Sequence, residues 1–260
     1  MIRKAAVAGA FYPAEPEIIK NTINEYLDKA PLKKIDNLRG IIVPHAGYIY
    51  SGPTAAYAYK QLQNLKGKKY NVFLLGPSHY VFTSASIGNF DSFETPLGPI
   101  KVNRVLCEEL LKNIDLDFYP QAHTQEHSLE VQLPFLKMVL KDFEIIPMVI
   151  GEASPDRLAE ILAPHFLEEE NLFVFSSDLS HYNPYDIAKS IDKKSLDIIG
   201  ALDLERDDQI DACGKIPIQT AMRLALKHKC KMELLDYRNS GDTAGDKGGV
   251  VGYSAWAIHQ

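Results

Sequence analysis

The sequence predicts an α/β chain folded as a three-layer sandwich around a largely parallel central sheet. Three observations predict it. Short apolar runs rich in Val, Ile and Phe alternate with stretches of helical periodicity. Three of those runs end in a histidine: Gly40-Ile-Ile-Val-Pro-His45, Val72-Phe-Leu-Leu-Gly-Pro-Ser-His79 and Leu172-Phe-Val-Phe-Ser-Ser-Asp178-Leu-Ser-His181. Between the first two lies a helix-forming stretch, Ala55-Ala-Tyr-Ala-Tyr-Lys-Gln-Leu-Gln63, and a strand–helix–strand crossover makes its strands parallel. Ligands of open α/β sheets bind outside the carboxyl ends of the strands. The imidazoles of His45, His79 and His181 are therefore expected in one pocket.

Each element follows in order. Pro16 or Glu17 to Lys29 reads as a helix with Ile18, Ile19, Ile23 and Leu27 on one face. A strand at 40–44 and a helix at 53–63 come next, the helix capped by Ser51 or Thr54 and closed by Lys66–Lys69. A strand at 71–75 completes the crossover. Residues 84–104, punctuated by Gly and Pro, read as a hairpin or paired short strands. Val105–Asn113 is a short helix, and Glu126–Leu140 a helical candidate interrupted by Pro134. A strand at Phe143–Ile150, a helix at Pro155–Phe166 and the third histidine-bearing strand at Asn171–Phe175 follow. Tyr185–Leu202 and Pro217–His228 read as helices, Met232–Tyr237 and Val250–Ile258 as closing strands. With no repeat and no long linker, residues 1–260 are read as one domain.

Composition narrows the function classes. The net charge of −6 offers no basic excess to neutralise phosphates, so nucleic acid is not an expected partner. No run is long and apolar enough to span a bilayer, and none is expected to be a membrane anchor. The short apolar stretch after Arg3 and Lys4 meets Tyr12-Pro13 at once and is not read as a signal peptide. Cys107, Cys213 and Cys230 are odd in number and widely spaced, which predicts free thiols and a cytoplasmic setting.

Imidazole is both the commonest metal ligand and a general base suited to neutral pH, so metal binding or catalysis is the reading of the strand-end histidines. His123 and His127, and Glu126 and Glu130, each stand four apart and would share faces of a helix. The segment lacks the His-Glu-x-x-His order of a zinc protease. Asp178 lies three residues before His181, as an acid orienting a base would. Cys213 stands just before a helix start, where thiolate is favoured, but reads better as a small buried filler. The Asp- and Gly-rich loop Asn239–Gly249 could lend the site a carboxylate.

Val43-Pro-His45-Ala-Gly-Tyr48, Leu75-Gly-Pro-Ser-His79, Glu126-His127-Ser-Leu-Glu130, Ser176-Ser-Asp178-Leu-Ser-His181-Tyr182, Cys213-Gly-x-x-Pro-Ile218 and Val251-Gly-Tyr-Ser-Ala255 resemble the Memo family in order and spacing. The likeness begins at Arg3 and covers essentially the whole chain. It implies a fold like that of class III extradiol dioxygenases. It also implies a redox-active iron or copper site, a small-molecule or peptide ligand, and a functional link to a radical-SAM protein. Carried over by residue, it implies His45 and His79 as metal ligands and Asp178 and His181 in the same cleft. The family's ligand cysteine falls at Thr243 on this matching, and threonine is a poor ligand for a soft metal. Asp242 is then expected to complete a two-histidine, one-carboxylate triad for Fe(II), with Glu126 or Asp246 as alternatives and copper as the second metal. His181 is expected to act as general acid/base, positioned by Asp178, with His127 lining the cleft. A binding protein without turnover and a zinc hydrolase are the competing readings.

Overall fold

The three histidine-bearing strands lie side by side. In this computed structural model, which describes residues 1–65 and 69–260, β1 (Ile2–Arg3) leads to α1 (Pro16–Lys29), β2 (Leu38–Val43), α2 (Tyr48–Leu62) and β3 (Tyr70–Pro77). Then come β4 (Ala85–Ile87), β5 (Ser92–Phe93), β6 (Ile100–Lys101), α3 (Arg104–Leu110), α4 (Pro120–Thr124), α5 (Gln132–Val139) and β7 (Phe143–Ile150). The remainder is α6 (Pro155–Leu162), β8 (Asn171–Ser176), β9 (His181–Asn183), α7 (Tyr185–Gly200), α8 (Lys215–Lys227), β10 (Lys231–Asn239), α9 (Ser240–Thr243) and β11 (Val250–His259). Three residues of the expected Lys66–Lys69 helix stop lie outside the described residues.

The main sheet runs β10-β11-β2-β8-β3-β7-β4, with β9 paired to β11. Strands β2, β8, β3 and β7 are parallel, and antiparallel strands flank them on both sides. The crossover through α2 therefore skips a position: β8 enters between β2 and β3, pairing Phe173 with Gly40 on one side and Phe73 on the other. Gly40 permits that approach, because a Cβ there would stand 2.8 Å from the Phe173 carbonyl oxygen. The segment 84–104 holds paired short strands, as expected, since β5 and β6 pair antiparallel, but it is divided between two sheets. β4 joins the main sheet, whereas β5 and β6 form a small sheet with β1.

Helices cover both faces, as an α/β sandwich requires. α1, α2 and α5 pack together, with Tyr59 stacked on Phe135 at 4.7 Å, while α6 packs on α8 and α7 lies against β10 and β11. Ile19, Ile23 and Leu27 of α1 point inward, but Ile18 is 54% exposed. α2 begins at Tyr48, earlier than its composition suggests, so Ser51 and Thr54 sit inside it and Pro53 is interior. Tertiary bonds explain the early start: Tyr48 donates its N–H to Phe11 O (2.8 Å) and its hydroxyl to Val131 O (2.8 Å). Among the described residues no helix is long and apolar enough to cross a membrane.

Candidate metal centre

Parallel strands bring their following loops to one edge, and the site is built there. His45 follows β2, His79 follows β3, and Asp178 and His181 follow β8 between them. All four line one cleft of about 630 Å³, together with His127 and Asp246. The His45 and His79 rings meet edge to face at 5.2 Å, and His127 stacks on His79 at 4.5 Å.

Hydrogen bonds assign the His45 tautomer. Ser176 Oγ donates its one proton to Ser128 O at 2.7 Å and accepts from Gln132 Nε2 at 2.8 Å. Its contact with His45 Nδ1 at 2.9 Å is then an N–H donated by the ring. The lone pair of His45 is left on Nε2. Burial, and then the neighbouring His79, push the His45 pKa down to about 3, so the ring is neutral.

The same logic applies to His79. Glu126 is buried, which opposes ionisation, but the side-chain and backbone hydrogen bonds from His79 and the N–H of Ser128 outweigh that and hold it at about 2. An ionised carboxylate only accepts, so His79 donates Nδ1–H to Oε1 at 2.8 Å and its backbone N–H to Oε2 at 2.6 Å. This is the carboxylate–histidine pairing that orients metal ligands and leaves Nε2 as the donor. His127 is also held neutral, by burial and by His45 and His79, with a pKa of about 4. Its Nδ1 is buried and has no hydrogen-bond partner among the described residues.

The third group near these nitrogens is a thiol. Cys213, just before α8, places Sγ 3.2 Å from His45 Nε2. Burial, then the Asp178 charge, raise its pKa to about 12, so it stands as S–H beside the imidazole lone pair. Donor atoms of His45, His79 and Cys213 lie within 4.8 Å of one another, as do those of His79, Glu126 and His127. The first trio suits a cation better. Its two histidines each turn Nδ1 to a protein partner and keep Nε2 for a ligand, whereas both Glu126 oxygens already accept N–H bonds. Imidazole and thiolate together suit zinc, copper or iron.

Asp178 accepts the His45 backbone N–H on Oδ1 at 2.7 Å, and its Oδ2 lies 4.0 Å from His45 Nε2. Burial raises its pKa. His181 is exposed at the cleft mouth on β9.

Asp242 does not join the histidines. It accepts Asn239 N–H at 3.0 Å, capping α9, and the Tyr185 hydroxyl at 2.5 Å, and it is in neither donor trio. With Thr243 it lines a separate cavity of about 260 Å³. The reason is local: a short helix forms at Ser240–Thr243, and its N-terminus claims the carboxylate. Asp246 does reach the cleft. The expected helical pairings at 123–130 also fail, because residues 125–131 are not helical. His123 turns away, with Nε2 3.2 Å from Ser86 Oγ. Glu130 is buried against Arg3 and accepts Tyr12 OH at 2.5 Å and the N–H groups of Ala6 and Val7. Reading residue by residue took Cys213 for a buried filler and missed Ser176 and Gln132. The thiol's place before a helix start was the only signal for Cys213.

A family model described as Memo-like protein matches residues 3–257.

The chain belongs to the Memo-like family.

Among its relatives, MEMO1 family proteins of Sulfolobus acidocaldarius and Ignicoccus hospitalis are each 38% identical. The first match covers 97% of this chain and the second 98%, and each covers 98% of the relative. A crystal structure titled uncharacterized protein JW3007 from Escherichia coli K12 shares the fold at a TM-score of 0.57 and 12% identity. It covers 85% of this chain and 99% of that one. The α/β architecture is consistent with the dioxygenase-like fold that Memo membership implies. Cys213 is the cysteine that faces the two histidines, whereas Thr243, where the sequence matching placed the family's cysteine, donates its hydroxyl to Ser240 O.

Proposed function

We propose that this Memo-like chain is a redox-active metal protein whose organic substrate enters the histidine cleft. His45 and His79 would hold one iron or copper ion through Nε2, with Cys213 Sγ as third ligand. One observation carries the reading: both histidines have their Nδ1–H committed to a protein acceptor, which leaves two Nε2 lone pairs beside one thiol. When bound, such an ion supplies redox chemistry and Lewis acidity. A thiolate in the donor set raises the standing of copper relative to an all-nitrogen and carboxylate set.

The chain's own groups would do the rest. His181, at the mouth, takes a proton from a substrate hydroxyl. Asp178, which accepts the His45 backbone N–H, holds that loop in place beside the cleft. His127 and Phe11, with ring centroids 4.7 Å apart, exclude water from one wall. Three free cysteines favour a reducing, cytoplasmic setting.

Metal analysis of protein purified without added metal tests this, followed by anaerobic Fe(II) and Cu(I) titration of wild type and His45→Ala. Stoichiometric iron or copper, lost in His45→Ala, is expected. Stoichiometric zinc would favour hydrolysis instead, and failure to bind any of these ions would sink the proposal.

A further inference from the structure

The cleft has a charge pattern that its histidines do not explain. Among its described lining residues there is no Lys or Arg, whereas Asp246 and Asp178 both reach it. Asp246 accepts the Gly248 N–H at 2.7 Å, and among the described residues no Lys or Arg stands in an ion pair with it. The adjacent Lys247 is turned elsewhere, with Nζ 4.4 Å from the centre of the Tyr185 ring.

The rim is aromatic. Phe11, Tyr50, Tyr182 and Tyr253 line the same cleft. Tyr182 stands out in two ways. It is 79% exposed, and its φ of 60° lies in the left-handed region that non-glycine residues avoid. It is also the unpaired residue where β9 pairs with β11, since His181 faces Val251 and Asn183 faces Val250. Bulges of this kind re-aim a side chain and occur beside functional sites. Among the described residues the ring meets only the edge of His181, at 5.7 Å between centroids, and the bulge holds the rest of it open at the cleft.

We infer that the cleft binds a planar aromatic ligand carrying a cationic group, an aryl-alkyl amine in its ammonium form. The ring lies against Tyr182 and the ammonium pairs with Asp246. The inference rests on reading this cleft as the functional site. Aromatic faces attract cations, a carboxylate without a partner attracts them further, and an anionic ligand finds no Lys or Arg here.

Three probes with one ring and different charge decide it: tyramine, tyrosol and 4-hydroxyphenylacetate, titrated calorimetrically into the full chain at pH 8. Tyramine is expected to bind about fivefold or more tighter than tyrosol, with 4-hydroxyphenylacetate weakest. Asp246→Asn should bring tyramine to the level of tyrosol and leave tyrosol unchanged. Tyr182→Ala should weaken both alike, and Tyr182→Phe should restore them. Equal or tighter binding of the anion overturns the inference. So does an unchanged preference in Asp246→Asn, or saturable binding of none of the three. Metal content of the same preparations reads the metal proposal separately. Metal-loaded protein that does not discriminate the probes sinks only this inference, and metal-free protein that ranks them sinks only the other.

Discussion

His45 Nε2 and Cys213 Sγ stand 3.2 Å apart across 168 residues of sequence. An unprotonated nitrogen faces a protonated thiol, an arrangement one cation would replace. Because the thiol pKa is about 12, metal binding through Sγ must release a proton. Cu(I) affinity should therefore rise about tenfold per pH unit between pH 7 and 9. Chelator competition across that range measures it. The slope should vanish in Cys213→Ser, and an identical slope in that variant would remove Sγ from the site.

Glu126 orients His79 without offering a free oxygen of its own. Glu126→Gln keeps the shape but loses the charge that favours Nδ1–H donation. Metal affinity should fall about tenfold or more, as for other carboxylates behind a ligating histidine. Titration of Cu(I) or Fe(II) checks this, and unchanged affinity would mean that His79 needs no such partner.

Asp242→Ala should leave metal affinity unchanged. Its carboxylate caps α9 and holds Tyr185, so the cost should appear as about 1 kcal/mol of folding stability. A tenfold loss of iron affinity in folded Asp242→Ala would restore Asp242 as a ligand.

The Arg3–Glu130 pair is buried, and Arg3 also donates to the carbonyls of His123 and Glu126. Arg3→Met would strand a buried carboxylate and should cost about 3–5 kcal/mol, seen as a lower urea midpoint. A loss under about 1 kcal/mol would show that Glu130 is neutralised or solvated.

Acid should destabilise the metal-free protein before its carboxylates titrate. His45, His123 and His127 have folded pKa values of about 3, 3 and 4, against an ordinary 6.5. Below pH 6.5 the unfolded chain binds protons that the fold refuses, so stability falls as pH falls toward 4. Each histidine contributes up to about 1.4 kcal/mol per pH unit. Glu126, lowered to about 2 from 4.5, adds a further loss from pH 4.5 downward. Urea midpoints at pH 7, 6 and 5 test it, and a flat profile would mean that the histidines titrate normally.

Much of this was legible residue by residue. Gly40–Val43, Val72–Leu75 and Leu172–Phe175 are strands because each is a short β-branched or aromatic run closed by a loop former. The parallel sense of the first two followed from the helix between them, and the structure shows that of the third. The expected helix at 126–140 failed over its first turns because Glu126 and Glu130 accept backbone N–H groups from distant segments. Such bonds leave no trace in helical periodicity.

The sequence alone determined the sandwich class, the strands ending in His45, His79 and His181, and Memo-like membership, since all of these rest on short-range patterns. Only the tertiary structure decided that β8 separates β2 from β3, that Cys213 rather than Asp242 or Thr243 faces the imidazoles, and that Ser176 and Glu126 assign their tautomers. Local patterns report what a segment can become. Strand order and the partner of a single lone pair depend on where the rest of the chain packs, and no spacing within a motif encodes that.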